Sequence, residues 1–157
     1  MELRPALVSC MVIATLSCTD TSSLRGTYVA NEDASVLPPG ERVPPNFRMI
    51  IEDDGALITT TQTFTADSGE TVRLVWRGEC DGKERPVDGA LTPFQLSCRR
   101  SASGALVNTI VSGAGSYVET CVLESKVRMT CKGEQPNQEG RPQPFSYAFD
   151  RQEQVRQ

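Results

Sequence analysis

Seven short turn signals punctuate the chain after residue 50: Asp54-Gly55, Ser68-Gly69, Asp81-Gly82, Asp88-Gly89, Ser103-Gly104, Gly113-Ala114-Gly115 and Glu139-Gly140. Asp-Gly and Ser-Gly supply the positive φ that tight hairpins require. The runs between them are rich in Val, Ile, Thr, Tyr and Phe, and several alternate with period two. Val72, Leu74, Trp76 and Cys80 share one phase against Arg73 and Arg77, and Phe94, Leu96 and Cys98 alternate with Gln95, Ser97 and Arg99. Val127, Met129 and Cys131 alternate with Arg128, Thr130 and Lys132, as do Phe145, Tyr147 and Phe149 with Ser146, Ala148 and Asp150. Such runs are half-buried strands.

Strands are expected near Gly26–Ala30, Phe47–Glu52, Leu57–Ala66, Thr71–Glu79, Arg85–Val87, Phe94–Arg99, Leu106–Val111, Ser116–Leu123, Val127–Lys132 and Phe145–Asp150. No stretch in this part of the chain keeps a helical period. The expected fold is all-β: an antiparallel up-and-down meander of about 8–10 strands, closed into a barrel or folded as a sandwich. The proline-dense segment from Pro38 to Pro45 cannot sit in a central strand and is expected to cross one end. Pro136 to Pro144 is polar with three prolines and reads as an exposed loop before the last strand.

A chain of 157 residues suffices for one domain with a core, here assigned to residues 25–151, with a polar tail over 152–157. Residues 1–17 read as a signal segment: Arg4 lies in a short polar start, and an apolar run from Pro5 to Leu16 follows. Beyond Cys18 the chain turns polar at once, so residues 18–24 read as a tether. Of the six cysteines, Cys10 falls within the signal. Lipidation of Cys18 leaves Cys80, Cys98, Cys121 and Cys131, an even set for an oxidising compartment. Of the bacterial lipobox pattern Thr15-Leu16-Ser17-Cys18 keeps Ser17, and ordinary cleavage nearby is the alternative. Pairing across neighbouring strands favours Cys80–Cys98 and Cys121–Cys131. If the turn between Cys121 and Cys131 holds two residues, Cys121 meets Arg128 rather than Cys131, so that bridge requires a bulge or a slanted pair.

The order of several motifs resembles a group of bacterial envelope proteins that open with Gly-Thr-Trp, carry a TLTIE strand followed by Asp-Gly, and hold a DGKxYPVxG segment in mid-chain. The matching residues here are Gly26-Thr27-Tyr28, Arg48 to Glu52 before Asp54-Gly55, and DGKERPVDG at 81–89, with Glu84-Arg85 in place of the aromatic-containing pair. The resemblance implies a lipocalin-like barrel over nearly all of 25–151 and implies no activity. It also implies that Arg151 packs on Tyr28, as a late Arg packs on the opening Trp of lipocalins.

The chain has no histidine, which removes Ser-His-Asp and Cys-His chemistry. A net charge of −4 with both signs interspersed offers no basic stripe for nucleic acid. No Cys-x-x-Cys occurs, and no cofactor or metal site is read from the cysteines. The carboxylates Glu52-Asp53-Asp54, Glu79-Asp81, Glu84 and Asp88 sit mostly beside turn glycines, where Asp is turn chemistry. The aromatics either fill a small core or line a cup, and Tyr28, Phe64, Trp76, Phe94 and Tyr147 are the candidate ligand-binding residues. The Thr-rich run from Thr59 to Thr65 is a candidate polar lining.

The expectation is a non-enzymatic barrel in the cell envelope, on its periplasmic or outer-membrane face. It would be held to the membrane by the N-terminal lipid and would bind a small apolar or amphipathic molecule. The alternatives are an interaction or inhibitor module with a filled barrel that contacts an envelope protein, and a carboxylate-based hydrolase or isomerase.

Overall fold

The seven turn signals fall between strands, the last glycine of Gly113-Ala114-Gly115 opening the next strand, and no helix occurs among the described residues. The computed structural model of the chain describes residues 23–153. The signal segment, Cys18, most of the tether and the end of the tail lie outside the described residues. Ten strands follow in order: β1 (Gly26–Val36), β2 (Arg48–Asp53), β3 (Leu57–Thr65), β4 (Thr71–Glu79), β5 (Arg85–Pro86), β6 (Phe94–Arg100), β7 (Leu106–Ser112), β8 (Gly115–Ser125), β9 (Arg128–Pro136) and β10 (Pro142–Arg151). They form one antiparallel sheet in the order β4-β3-β2-β1-β10-β9-β8-β7-β6-β5. Every strand pairs with its sequence neighbour except at two places. There β1 closes on β10, and the sheet curls so that β4 meets the segment after β5. The result is a nearly closed up-and-down meander barrel.

The seam between β4 and β6 is thin. Val75 and Asp88 exchange a pair of backbone hydrogen bonds, each 2.9 Å. Trp76 Nε1 donates to Leu96 O at 3.0 Å, Gly82 N donates to Cys98 O at 2.9 Å, and the Cys80–Cys98 disulfide crosses the same gap. The segment 81–89 is therefore the strap that closes the barrel. Asp81 anchors its first turn by accepting from the Arg85 guanidinium at 2.8 and 3.1 Å and from Lys83 N at 3.0 Å. Arg85 holds the Asp81 carboxyl well below the usual carboxylate range. At the strap's other end Gly89 has φ of 84°, and a Cβ there would strike the backbone carbonyl of Arg73.

One end of the barrel is plugged. Tyr28 is fully buried and donates its hydroxyl to Leu24 O at 2.7 Å. The Arg151 guanidinium lies 5.8 Å from the Tyr28 ring centre and donates to Arg25 O. Arg100 reaches across this base from the end of β6 to Asp53 at the end of β2, at 2.6 Å. At the other end the proline-rich loop crosses the barrel: Glu41 accepts from Gln135 on β9 at 2.8 Å, and Arg42 pairs with Asp67 beyond β3 at 2.9 Å.

Three local expectations are corrected. The turn between β8 and β9 is Lys126-Val127 rather than Glu124-Ser125, and Val127 is exposed there instead of sharing a face with Met129. A bulge at Glu124 shifts the register so that Cys121 pairs directly with Cys131. The segment from Pro136 to Pro144 is a loop only over residues 137–141; its two ends are strand, with Pro142 opposite Pro136 and Pro144 opposite Glu134. The prolines are tolerated for a directional reason. Ala148 N points toward β1, where it donates to Ser35 Oγ, so by period two the nitrogens of Pro144 and Pro142 face the same side. The last β1 residue on that side, Val36, pairs with Ser146, so the missing N–H groups face no partner strand. Third, β1 runs six residues past Ala30, to Val36, across a bulge in which Ser35 Oγ donates to Asn31 O at 2.7 Å and supplies the acceptor that the ladder lacks.

Gly133 in β9 is covered by the Phe145 ring, and a Cβ there would collide with the backbone carbonyl of Val118. Backbone on both sides fixes the collision, so it cannot be relieved by a rotamer change. Gly133→Ala is expected to cost about 2–3 kcal/mol. Urea denaturation followed by circular dichroism checks this, and a loss below about 0.5 kcal/mol would show that β8 and β9 slide freely past each other.

Candidate functional site

The inward positions of eight strands, with Phe47 and the strap residue Val87, enclose a cavity of about 240 Å³ that is partly open to solvent. Its floor is set by the buried Ile58, Leu106, Cys98, Cys121 and Cys131, so the two disulfides, Cys80–Cys98 and Cys121–Cys131, stand at the bottom of the wall. Their Cα separations are 4.4 and 4.0 Å. Toward the proline loop the lining is half-buried and aromatic, with Phe47, Phe94, Tyr117 and Tyr147. Phe47 sits at the centre of this rim, its ring 5.3 Å from Phe149 and 5.9 Å from both Tyr147 and Phe64, all nearly perpendicular. Edge-to-face contacts of this kind fix ring positions.

The sequence candidates separate by place. Trp76, Phe94 and Tyr147 line the cavity. Tyr28 does not; it lies below the floor as part of the basal plug. Phe64 is also outside the lining and packs at the rim against Phe47. Within the Thr-rich run, Thr60 and its neighbour Gln62 face inward, while the other threonines are not part of the wall.

The wall also holds a polar pair that period-two reading passed over. Asn108 on β7 and Glu119 on β8 are direct cross-strand partners, and Asn108 Nδ2 donates to Glu119 Oε1 at 3.0 Å. Both occupy the inward phase: Leu106, Asn108 and Ile110 on one strand, Tyr117, Glu119 and Cys121 on the next. Glu119 thus stands one pleat repeat above Cys121 and one below Tyr117, a step of about 6.7 Å each way. The surface it keeps faces the cavity. Burial pushes its carboxyl above the ordinary range, and the Asn108 amide offsets part of that rise. Burial also raises the phenols, Tyr117 up to about 12, and the charges of Glu119 and Glu41 add to the effect at both Tyr117 and Tyr147. Polar residues in the apolar phase of two consecutive strands, at positions that register pairs, are the sequence signal that marks this site.

No cluster of three or more metal-ligating side chains occurs among the described residues. Among the described residues Glu119 is the one carboxyl in the cavity wall, and no Lys or Arg lines it. The candidate carboxylates Asp53, Asp54, Asp81 and Asp88 serve instead in the base, the β2–β3 turn and the strap. Asp54, for example, accepts from Leu57 N at 2.7 Å and Ala56 N at 3.1 Å.

No protein-family model matches the chain, and neither does any curated protein. A solved structure similar to it is that of lobster apocrustacyanin A1, at 11% sequence identity with a TM-score of 0.48. The similarity covers 82% of this chain and 60% of that one. The architecture itself rests on the strand order and the seam described above.

Proposed function

We propose that this chain is an exported, lipid-tethered, lipocalin-like barrel of the bacterial envelope that binds a small apolar or amphipathic molecule and performs no covalent chemistry on it. The carrying observation is the cavity: about 240 Å³, largely aliphatic and aromatic, with Thr60, Gln62, Asn108 and Glu119 as its few polar groups. Binding pockets have this composition. An apolar cavity of roughly 150 Å³ takes up benzene, so this one suits a single ring with a short substituent rather than a long-chain lipid.

Two observations weigh against the alternatives. A single wall carboxyl leaves two-carboxylate chemistry without its second member in the cavity. Among the described residues the exposed large apolar side chains Val36, Leu91, Val118 and Val127 are scattered over separate elements, and Val29 and Ile50 on the paired strands β1 and β2 are a single neighbouring pair, which does not make the broad patch that a docking module presents. Export is supported by the two disulfides and by the apolar segment before Cys18. No helix among the described residues is long and apolar enough to cross a membrane.

Native mass spectrometry of protein taken from the producing cell tests the whole reading. The expected spectrum shows a diacylglyceryl adduct on Cys18, two hydrogens lost for each bridge, and a copurified small molecule or, failing that, retention of added 2-phenylethanol. An unmodified N-terminus with free thiols would overturn the export and tether. A protein that neither carries nor takes up any small apolar molecule would overturn the ligand.

A further inference from the structure

Glu119 is an unusual residue to find on the inner wall. A carboxyl removed from water is disfavoured in its charged form unless a partner of opposite charge or several donors compensate it. Here the compensation is incomplete. Among the described residues, Asn108 supplies the hydrogen bond to Oε1, no second donor reaches the carboxyl, and the wall contributes no Lys or Arg. The free side of the carboxyl faces the open volume. The same wall carries the rings of Tyr117, Tyr147, Phe47 and Trp76. Rings of this kind attract cations through their quadrupoles, most strongly where water is excluded. At the mouth, Glu41 lies close enough to Tyr117 and Tyr147 to influence both phenols. The path into the barrel thus has a carboxyl group at its entrance and another at mid-depth, with aromatic residues between.

Resting on the ligand-binding reading above, we propose that the cavity selects a small lipophilic amine, its ammonium on the Glu119 carboxylate and its apolar body against Trp76, Phe47 and Phe149. The binding step moves no covalent bond except a proton. Where Glu119 is still protonated, an incoming ammonium displaces that proton to solvent, and an incoming neutral amine takes it from the carboxyl. In both cases the bound state is the ion pair, with Asn108 holding the carboxylate in place.

The groups facing the site set the pH dependence. Tyr117 and Tyr147 have raised pKa values and stay neutral across the working range, and Glu41 sits at the mouth on the crossing loop. The titration of Glu119 therefore governs amine affinity. Its pKa is raised in the empty cavity, so affinity falls as pH drops through that raised value and is full above it.

The test uses calorimetric titration of the full chain with 2-phenylethylamine, 2-phenylethanol and 3-phenylpropionate, with Trp76 emission as an independent sign that a ligand is seated. The amine is expected to bind about tenfold or more tighter than the alcohol, and the carboxylate not to bind measurably. In Glu119→Gln the amine-to-alcohol ratio falls to about one, whereas Glu84→Gln, an exposed acid in the strap, leaves it unchanged. Should Glu119→Gln fold poorly, the wild-type chain decides alone: its amine preference must shrink as the pH is lowered through the raised Glu119 titration, while the alcohol's affinity stays level. If alcohol and amine bind equally well at every pH, the amine assignment is overturned and the ligand-binding cavity stands. If no compound binds or shifts Trp76 emission, the cavity reading itself is overturned.

Discussion

Replacing both Cys80 and Cys98 by alanine will destabilise the barrel more than replacing both Cys121 and Cys131, although chain entropy makes the two bridges nearly equal. The bridges close sequence separations of 18 and 10 residues, which by loop-closure entropy correspond to about 3 kcal/mol each. The difference lies in what each bridge joins. Cys121 and Cys131 are already opposed in a ladder that continues on both sides through Thr120–Lys132 and Val122–Thr130. Their bond holds together what the sheet holds anyway. Cys80 and Cys98 span the seam, where β5 has two residues and the pairing is done by two isolated bridges, Val75–Asp88 and Asp81–Arg99. Without that bond β4 is kept beside β6 by the Val75–Asp88 pair of backbone hydrogen bonds, the Gly82–Cys98 bond and the Trp76 indole on Leu96 O, with no continuous ladder. The expected result is a loss of about 4 kcal/mol or more for the seam variant and about 2–3 kcal/mol for the other, read by urea denaturation. Native-state hydrogen exchange adds a spatial check: the amides of Val75, Gly82 and Asp88 should exchange first, ahead of global unfolding. Equal losses with uniform exchange would show that the seam is no weaker than the rest of the sheet.

The seam also explains why so much of the fold could be read from sequence. A meander places every strand beside its sequence neighbour, so period-two runs and the dipeptides between them determine the strand order almost by themselves. At seven junctions a turn signal is present and the strand ends fall within a few residues of it. Where the signal is missing, sequence reading slips. Val127 is a strong strand former placed in a turn, and the bulge at Glu124 offsets the pairing by one residue, so the alternation of Val127 with Met129 is misleading. The prolines at 142 and 144 lie in a strand because of what β1 fails to do beside them, a fact no local window contains.

The site was less legible than the fold for a related reason. Period two identifies an inward face by its apolar residues, so Asn108 and Glu119 interrupt that face and weaken the very pattern that would place them. Only register, which joins 108 to 119, turns two weak positions into one polar pair. Tyr28 shows the opposite limit. It has the right phase to line a cup, but the chain before it folds under the barrel and Leu24 buries its hydroxyl in the plug. Depth along the barrel axis is a tertiary quantity that alternation does not encode.

Trp76→Ala is the second large effect to expect, and it connects stability to binding. Trp76 is 4% exposed, lines the cavity, and donates from Nε1 to Leu96 O across the seam. Truncation removes a large buried side chain and leaves a void that the sheet cannot collapse into, a cost of about 3–5 kcal/mol. Trp76→Phe keeps most of the buried area and forfeits the hydrogen bond to Leu96 O, for about 1–2 kcal/mol. Circular dichroism is the appropriate probe, because Trp76 is the only tryptophan and both variants lose the emission signal. The void in Trp76→Ala adjoins the existing cavity, so the variant should accept ligands too bulky for the wild type. Indole, which matches the deleted ring, should raise the melting temperature of Trp76→Ala by several degrees and leave that of Trp76→Phe nearly unchanged, since binding to the folded state alone stabilises it. A Trp76→Ala protein that loses less than about 1 kcal/mol and ignores indole would show that the seam relaxes around the lost ring. In that event the wall at Trp76 is soft, and the volume of the cavity is set by the ligand rather than by the barrel.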